Sequence, residues 1–168
     1  MSIIPELLFQ AKGNMLGSRT RIYTPEGYTR ISRLKANDKV ISWDGSKIRI
    51  VKIQQVVTHN YEMRDLYKFH IEHVDKKVLV SKDHVFWLGA QHMSIADSLK
   101  YKEKVIGIDS KKVKIIGKEA VISPNQVKKY EKTKEGYLVM YELKLHEKEQ
   151  MYFFSNEKVT TFSYGSHQ

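Results

Sequence analysis

In the stretch VLVSKDHVFWL, residues 78–88, a hydroxyl at Ser81 and an imidazole at His84 lie three residues apart inside an apolar run. A strand that only had to pack would not carry Ser81, Lys82, Asp83 and His84 in a row. Two accounts fit this pattern. In one, the run breaks at a turn and both side chains cap backbone groups. In the other, the hydroxyl and the imidazole converge on a reacting bond, the first holding it and the second moving a proton. The four residues alone leave both open.

The surrounding elements are strands. RTRIYTPEGYTRISRL reads as a hairpin around Pro25-Glu26-Gly27, and KVISWDGSKIRIVKIQQVVTH repeats the pattern around Asp44-Gly45. DLYKFHIEHVDKKVLVSKDHVFWL reads as a further pair of strands around Asp75-Lys76-Lys77. KVIGID and KVKIIG read as short strands, and several more close the chain. PELLFQAK predicts a short helix ended by Gly13-Asn14, and MSIADSLK predicts one or two helical turns with Ser94 as N-cap. A boundary is expected after Asn14, where the character changes to strands. The chain thus reads as all-β, with many short strands and close turn signals.

Composition narrows the function. With 168 residues, 41% of them hydrophobic, the chain is long enough for one domain with a sizeable core. Cysteine is absent, which excludes disulfides, thiolate zinc sites and a cysteine nucleophile in this chain. No run is apolar enough to span a membrane, and the first residues make a poor signal peptide, so a cytoplasmic location is expected. The formal net charge of +10 makes phosphate attraction available, with much of the excess in residues 101–136. No RNP-type aromatic signature, zinc finger or helix-turn-helix accompanies it. A solvated lysine-rich surface is the simpler account of that stretch.

Three stretches, in order, resemble the blocks of the Hint family, the self-processing fold of inteins and hedgehog C-terminal domains. In MLGSRTRIYTPEGYTRISRLKANDKVISWDG, Leu16, Thr20, Ile22, Thr24, Pro25, Gly27, Ile31, Leu34, Asp38, Val40 and Asp44 fall on the N-terminal block without a gap. Met15 stands at the nucleophile position. VLVSKDHVFWL resembles the Thr-x-x-His block, with Ser81 and His84 in the two named places. YELKLHEKEQMYFFSN resembles the block near the C-terminus: Tyr141, Leu143, Phe153, Phe154 and Asn156 match, Glu142 stands where Asp is usual, and Met151 where His is usual. His167-Gln168 stands where inteins have His-Asn. No LAGLIDADG-like helix lies between the blocks. The resemblance covers residues 15–168 and implies a Hint-type horseshoe of many short strands with one or two short helices, a mini-intein without a homing endonuclease domain. Residues 1–14 would be an N-extein remnant.

What the resemblance implies is an intein-like, single-turnover protein-splicing reaction. A side chain at position 15 attacks the carbonyl of Asn14, and His84 protonates the leaving amine. Ser81 holds the carbonyl oxygen or orients His84. Gly13, Asn14 and Thr20 are expected on the substrate side. Glu142 would couple the two ends, and His146 would replace the histidine that Met151 displaces. At the far end His167 polarises the carbonyl of Gln168, whose amide cyclises. Met15 breaks this scheme, because a thioether has no proton to lose; the first step is inactivated or attenuated as the sequence stands. Ser18 is a nearby hydroxyl, but it lies three residues into the block. The expected partner is the flanking extein polypeptide, in cis or in trans, acted on by a monomer with no cofactor, no metal and no membrane. The alternative is a basic β-rich module that binds nucleic acid or protein on a catalytically inactive Hint scaffold.

Overall fold

The computed structural model describes residues 15–43, 48–71, 77–82, 85–88, 91–94, 104–106, 112–146, 151–154 and 159–162. They form fourteen strands in chain order: β1 Leu16–Gly17, β2 Arg21–Thr24, β3 Gly27–Arg30, β4 Lys39–Trp43, β5 Ile48–Tyr61, β6 Leu66–Ile71, β7 Val78–Ser81, β8 Val85–Leu88, β9 Gln91–Ser94, β10 Lys104–Ile106, β11 Lys112–Ala120, β12 Leu138–Leu145, β13 Met151–Phe154 and β14 Val159–Phe162. Twelve of them pair in the order β10-β11-β6-β7-β1-β12-β5-β4-β13-β2-β3, with β14 against β13; β8 and β9 form a separate pair. Every strand pairing is antiparallel. The all-β expectation is met.

The long strand β5 is the spine. Its first part, through Lys52, pairs with β4, and from Ile53 onward it pairs with β12. The change of partner is marked by an irregularity between Lys144 and Leu145. It is also marked by Ile53, whose backbone bonds both to Asn37 and to Asp38 at 2.8 Å. Asn37 has φ 76°, a left-handed conformation that asparagine tolerates better than most residues. Asp38 closes that turn by accepting from the Lys35 N–H at 3.0 Å. The first hairpin turns where the sequence predicts: Gly27 has φ 111°, and the Thr24 hydroxyl donates to the Gly27 carbonyl at 2.6 Å.

Two cores lie on opposite faces of the central strands, as the two-residue period of a strand requires. The larger holds Leu16, Ile22, Val40, Ile53, Phe69, Val80, Tyr141 and Leu143 among others. The smaller holds Met15, Leu66, Leu79, Val121, Val127, Leu138 and Met140.

One expectation changes. Residues 78–88 are two strands rather than one. β7 ends at Ser81, with the Lys82 N–H making the last bond in its register with β6, to the Asp65 carbonyl at 3.1 Å, and β8 pairs elsewhere. The run of polar residues is where the strand breaks. Ser94 ends β9, paired with Val85, and the helical turns expected after it lie outside the described residues. Among the described residues the helical content is three short 3₁₀ turns, at Ile31–Arg33, Met63–Asp65 and Pro124–Val127. The helix expected at 5–12 lies outside the described residues. No helix among them is long and apolar enough to cross a membrane.

Candidate active site

The site is built on β1, a two-residue strand held on both edges. Leu16 pairs with Val80 of β7 on one side and with Tyr141 of β12 on the other, and Gly17 pairs with Met140. Continuing both registers by one residue sets Met15 between Ser81 and Glu142. All three belong to the face of the smaller core, and Met15, Ser81 and Glu142 are 1%, 2% and 4% exposed.

On the β7 side the contact is direct. The Ser81 N–H donates to the Met15 carbonyl at 3.1 Å. In an ordinary antiparallel pair the return bond would run from the Met15 N–H to the Ser81 carbonyl. Here it runs to the Ser81 hydroxyl, which accepts at 3.1 Å. The hydroxyl therefore faces the nitrogen of peptide bond 14–15. Such a group accepts from the planar amide. It is also placed to donate if that nitrogen becomes tetrahedral and its lone pair is released.

The segment after β1 is held by contacts that the sequence patterns did not single out. Gly17 lets the Tyr130 ring lie on the strand: a Cβ at Gly17 would meet Tyr130 Cε2 at 2.7 Å and Leu79 Cβ at 3.0 Å. Burial pushes the Tyr130 phenol above its ordinary pKa, and the Arg19 cation opposes that. The Ser18 hydroxyl accepts from the Glu131 N–H at 3.0 Å, so Ser18 is a structural tie. The Tyr141 hydroxyl donates to the Glu131 carboxylate. Burial first, then that hydrogen bond and the Glu131 charge, push the Tyr141 phenol up to about 12. Thr20, 7% exposed, closes the turn out of β1 with its N–H on the Gly17 carbonyl at 3.0 Å. The loop carrying Tyr130 and Glu131 is itself braced. Ser123 and Gln126 form a capping box on the Pro124–Val127 turn, and the Lys132 ammonium reaches the carbonyls of Val127, Lys128 and Tyr130.

Met15, Ser81 and Glu142 are thus brought into one row, with Thr20 a turn away. His146 is not brought to them. It is exposed, its N–H bonds to the Lys52 carbonyl at 3.0 Å, and it lines a surface hollow with Asn37, Lys39 and Lys52. It lies four positions beyond Glu142 along extended chain, roughly 13 Å away. Met151 begins β13, opposite Phe162 of β14. Gly13, Asn14, His84, His167 and Gln168 lie outside the described residues. Among the described residues no three His, Asp or Glu side chains are grouped so as to hold a metal ion.

No family model matches the chain, and no curated protein matches it in sequence. Its fold does match solved structures. The solution structure of a bacterial intein-like domain from Clostridium thermocellum superposes with a TM-score of 0.69 at 16% identity, over 88% of this chain and 97% of that one. The gp41-1 intein gives 0.62 at 17% identity, over 88% and 97%. A DnaB intein from Synechocystis sp. PCC 6803 gives 0.63 at 9% identity, over 89% and 97%. The chain has the Hint-type fold of mini-intein splicing domains.

Proposed function

We propose that this chain, with the fold of a splicing domain, is an autoprocessing domain acting on its own flanking polypeptide, and that Met15 blocks its first step. The observation that carries this reading is the Ser81 hydroxyl on the Met15 nitrogen at 3.1 Å, in a row with the buried Glu142. A packing strand has no need to exchange a main-chain acceptor for a side-chain hydroxyl at that one bond.

In the full reaction a thiol or hydroxyl at position 15 adds to the Asn14 carbonyl. The bond from that carbonyl carbon to the position-15 nitrogen then breaks, and the nitrogen leaves as an amine. It needs a proton, and His84, three residues past Ser81, is assigned to supply it. Ser81 keeps the nitrogen oriented, accepting at first and donating as the nitrogen turns tetrahedral. A methionine sulfur can form no neutral acyl intermediate, since it has no proton to give up. Met15 is instead a packing residue of the smaller core. At the other end His167 and Gln168 are assigned to side-chain cyclisation, in which the Gln168 amide nitrogen attacks its own backbone carbonyl and expels the downstream amine. The six-membered ring that forms is slower to close than the five-membered ring from asparagine.

The test is restoration. Met15→Cys supplies the missing nucleophile, and an added small thiol should then release residues 1–14 from the acyl intermediate. Release should fall sharply in Met15→Cys/His84→Ala. A folded Met15→Cys chain that stays intact in thiol contradicts the proposal.

A further inference from the structure

Away from the Met15 row, the described surface carries two adjoining basic hollows. The larger, about 470 Å³, is lined by Arg19, Lys68, Lys77, Lys128, Lys129 and Tyr130, with Asn125 and Gln126 between them. The smaller, about 290 Å³, is lined by Arg21, Arg30 and Arg33 with Tyr28 and Thr29. Arg19 joins them, since it lines the first and is the strongest electrostatic influence on Arg30 in the second. The repulsion from Arg19, some desolvation, and then Arg33 and Arg21 hold the Arg30 guanidinium below its ordinary pKa. Like charges are thus gathered at a cost in repulsion.

Lys77 meets Glu119 at 3.4 Å, and Lys68 donates to the Gln126 carbonyl at 2.8 Å. Among the described residues no carboxylate pairs with the side chains of Arg19, Arg30, Arg33, Lys128 or Lys129. A solvated lysine face would not need arginines drawn from four separate elements. These come from the β1–β2 turn, from β2 and β3, and from the 3₁₀ turn after β3. Each hollow also has a tyrosine in its wall, and Tyr28 lies against Tyr23 with ring centroids 5.1 Å apart.

We propose that this double hollow is a binding site for single-stranded nucleic acid. Arg19, Arg30, Arg33, Lys128 and Lys129 contact successive phosphates, and Tyr28 lies where bases pass. A charged track with interleaved aromatics suits a flexible single strand, whose unstacked bases can reach them, better than a duplex, whose bases are turned inward. The contacts are to the backbone, so affinity should fall steeply with salt and depend little on sequence. The site is separate from Met15, Ser81 and Glu142 and does not depend on the chemistry proposed there.

The experiment is fluorescence anisotropy of a labelled mixed-sequence single-stranded oligonucleotide of about 20 nucleotides, titrated with the whole chain at about 50 mM salt. Arg30→Glu/Arg33→Glu should weaken binding at least about tenfold, with thermal unfolding unchanged for these surface side chains. Lys39→Glu/Lys52→Glu makes the same change in net charge on β4 and β5 and should weaken binding less than about twofold. A duplex of the same length should bind more weakly than the single strand. No binding at low salt overturns the proposal. So does equal loss in the two double variants, or a duplex bound as tightly as the single strand.

Discussion

A single hydroxyl decides how peptide bond 14–15 sits. Ser81 takes both polar groups of Met15, one with its backbone and one with its side chain. Ser81→Ala leaves the Met15 N–H buried without that acceptor and should cost about 1–3 kcal/mol in denaturant unfolding, whereas Ser81→Thr should recover most of it. Tyr141 makes a separate prediction about pH. Its folded pKa, about 12, lies above the ordinary value of 10.0, so folding favours the neutral phenol. That contribution is whole below pH 10 and is lost as the pH climbs from 10 to 12. Unfolding midpoints should fall across that window in the parent chain, and the fall should be shallower in Tyr141→Phe. The same replacement removes the bond to Glu131 and should lower stability by about 1 kcal/mol at neutral pH. Several of these roles were legible in the sequence only as types. Ser81 was marked by being polar in an apolar run, but nothing in the run says that its hydroxyl would meet a nitrogen rather than an oxygen. That depends on a register set by β1 and β7, whose paired residues Leu16 and Val80 are 64 positions apart in the chain.

At the scale of elements, β1 is short and would not persist alone; it is fixed by two neighbours and by the aromatic laid across it. Gly17→Ala should cost about 1–3 kcal/mol, because the new methyl meets both the Tyr130 ring and Leu79. A thermal melt measures it, and an unchanged midpoint would show that Tyr130 does not press on the strand. The hairpin at Pro25-Glu26-Gly27 was legible because its turn is chemically local: the Thr24 hydroxyl and the left-handed Gly27 are within three residues. The break after Ser81 was not, because it follows from a change of partner: β7 pairs with β6, whereas β8 pairs with β9.

At the scale of the molecule, an all-β chain was legible from strand periods and turn residues, and the Hint-type fold from three ordered blocks. What patterns of single residues could not give is the exchange of partners along β5, which sends one continuous strand from β4 to β12 and so carries Glu142 to the flank of Met15. The double basic hollow was also hidden. Its arginines lie within the block that defines the fold, whereas the sequence drew attention to the lysines at 101–136. The fold and the row of Ser81, Met15 and Glu142 lead to one central claim, that this is a splicing architecture stopped at its nucleophile. The most direct measurement is intact mass over time for a Met15→Cys chain that keeps residues 1–14 and carries a short peptide beginning with Cys after Gln168. The account predicts a new species in which the two flanks are joined, or residues 1–14 released, with both lost in His84→Ala. A folded chain of unchanged mass over the same period would contradict it.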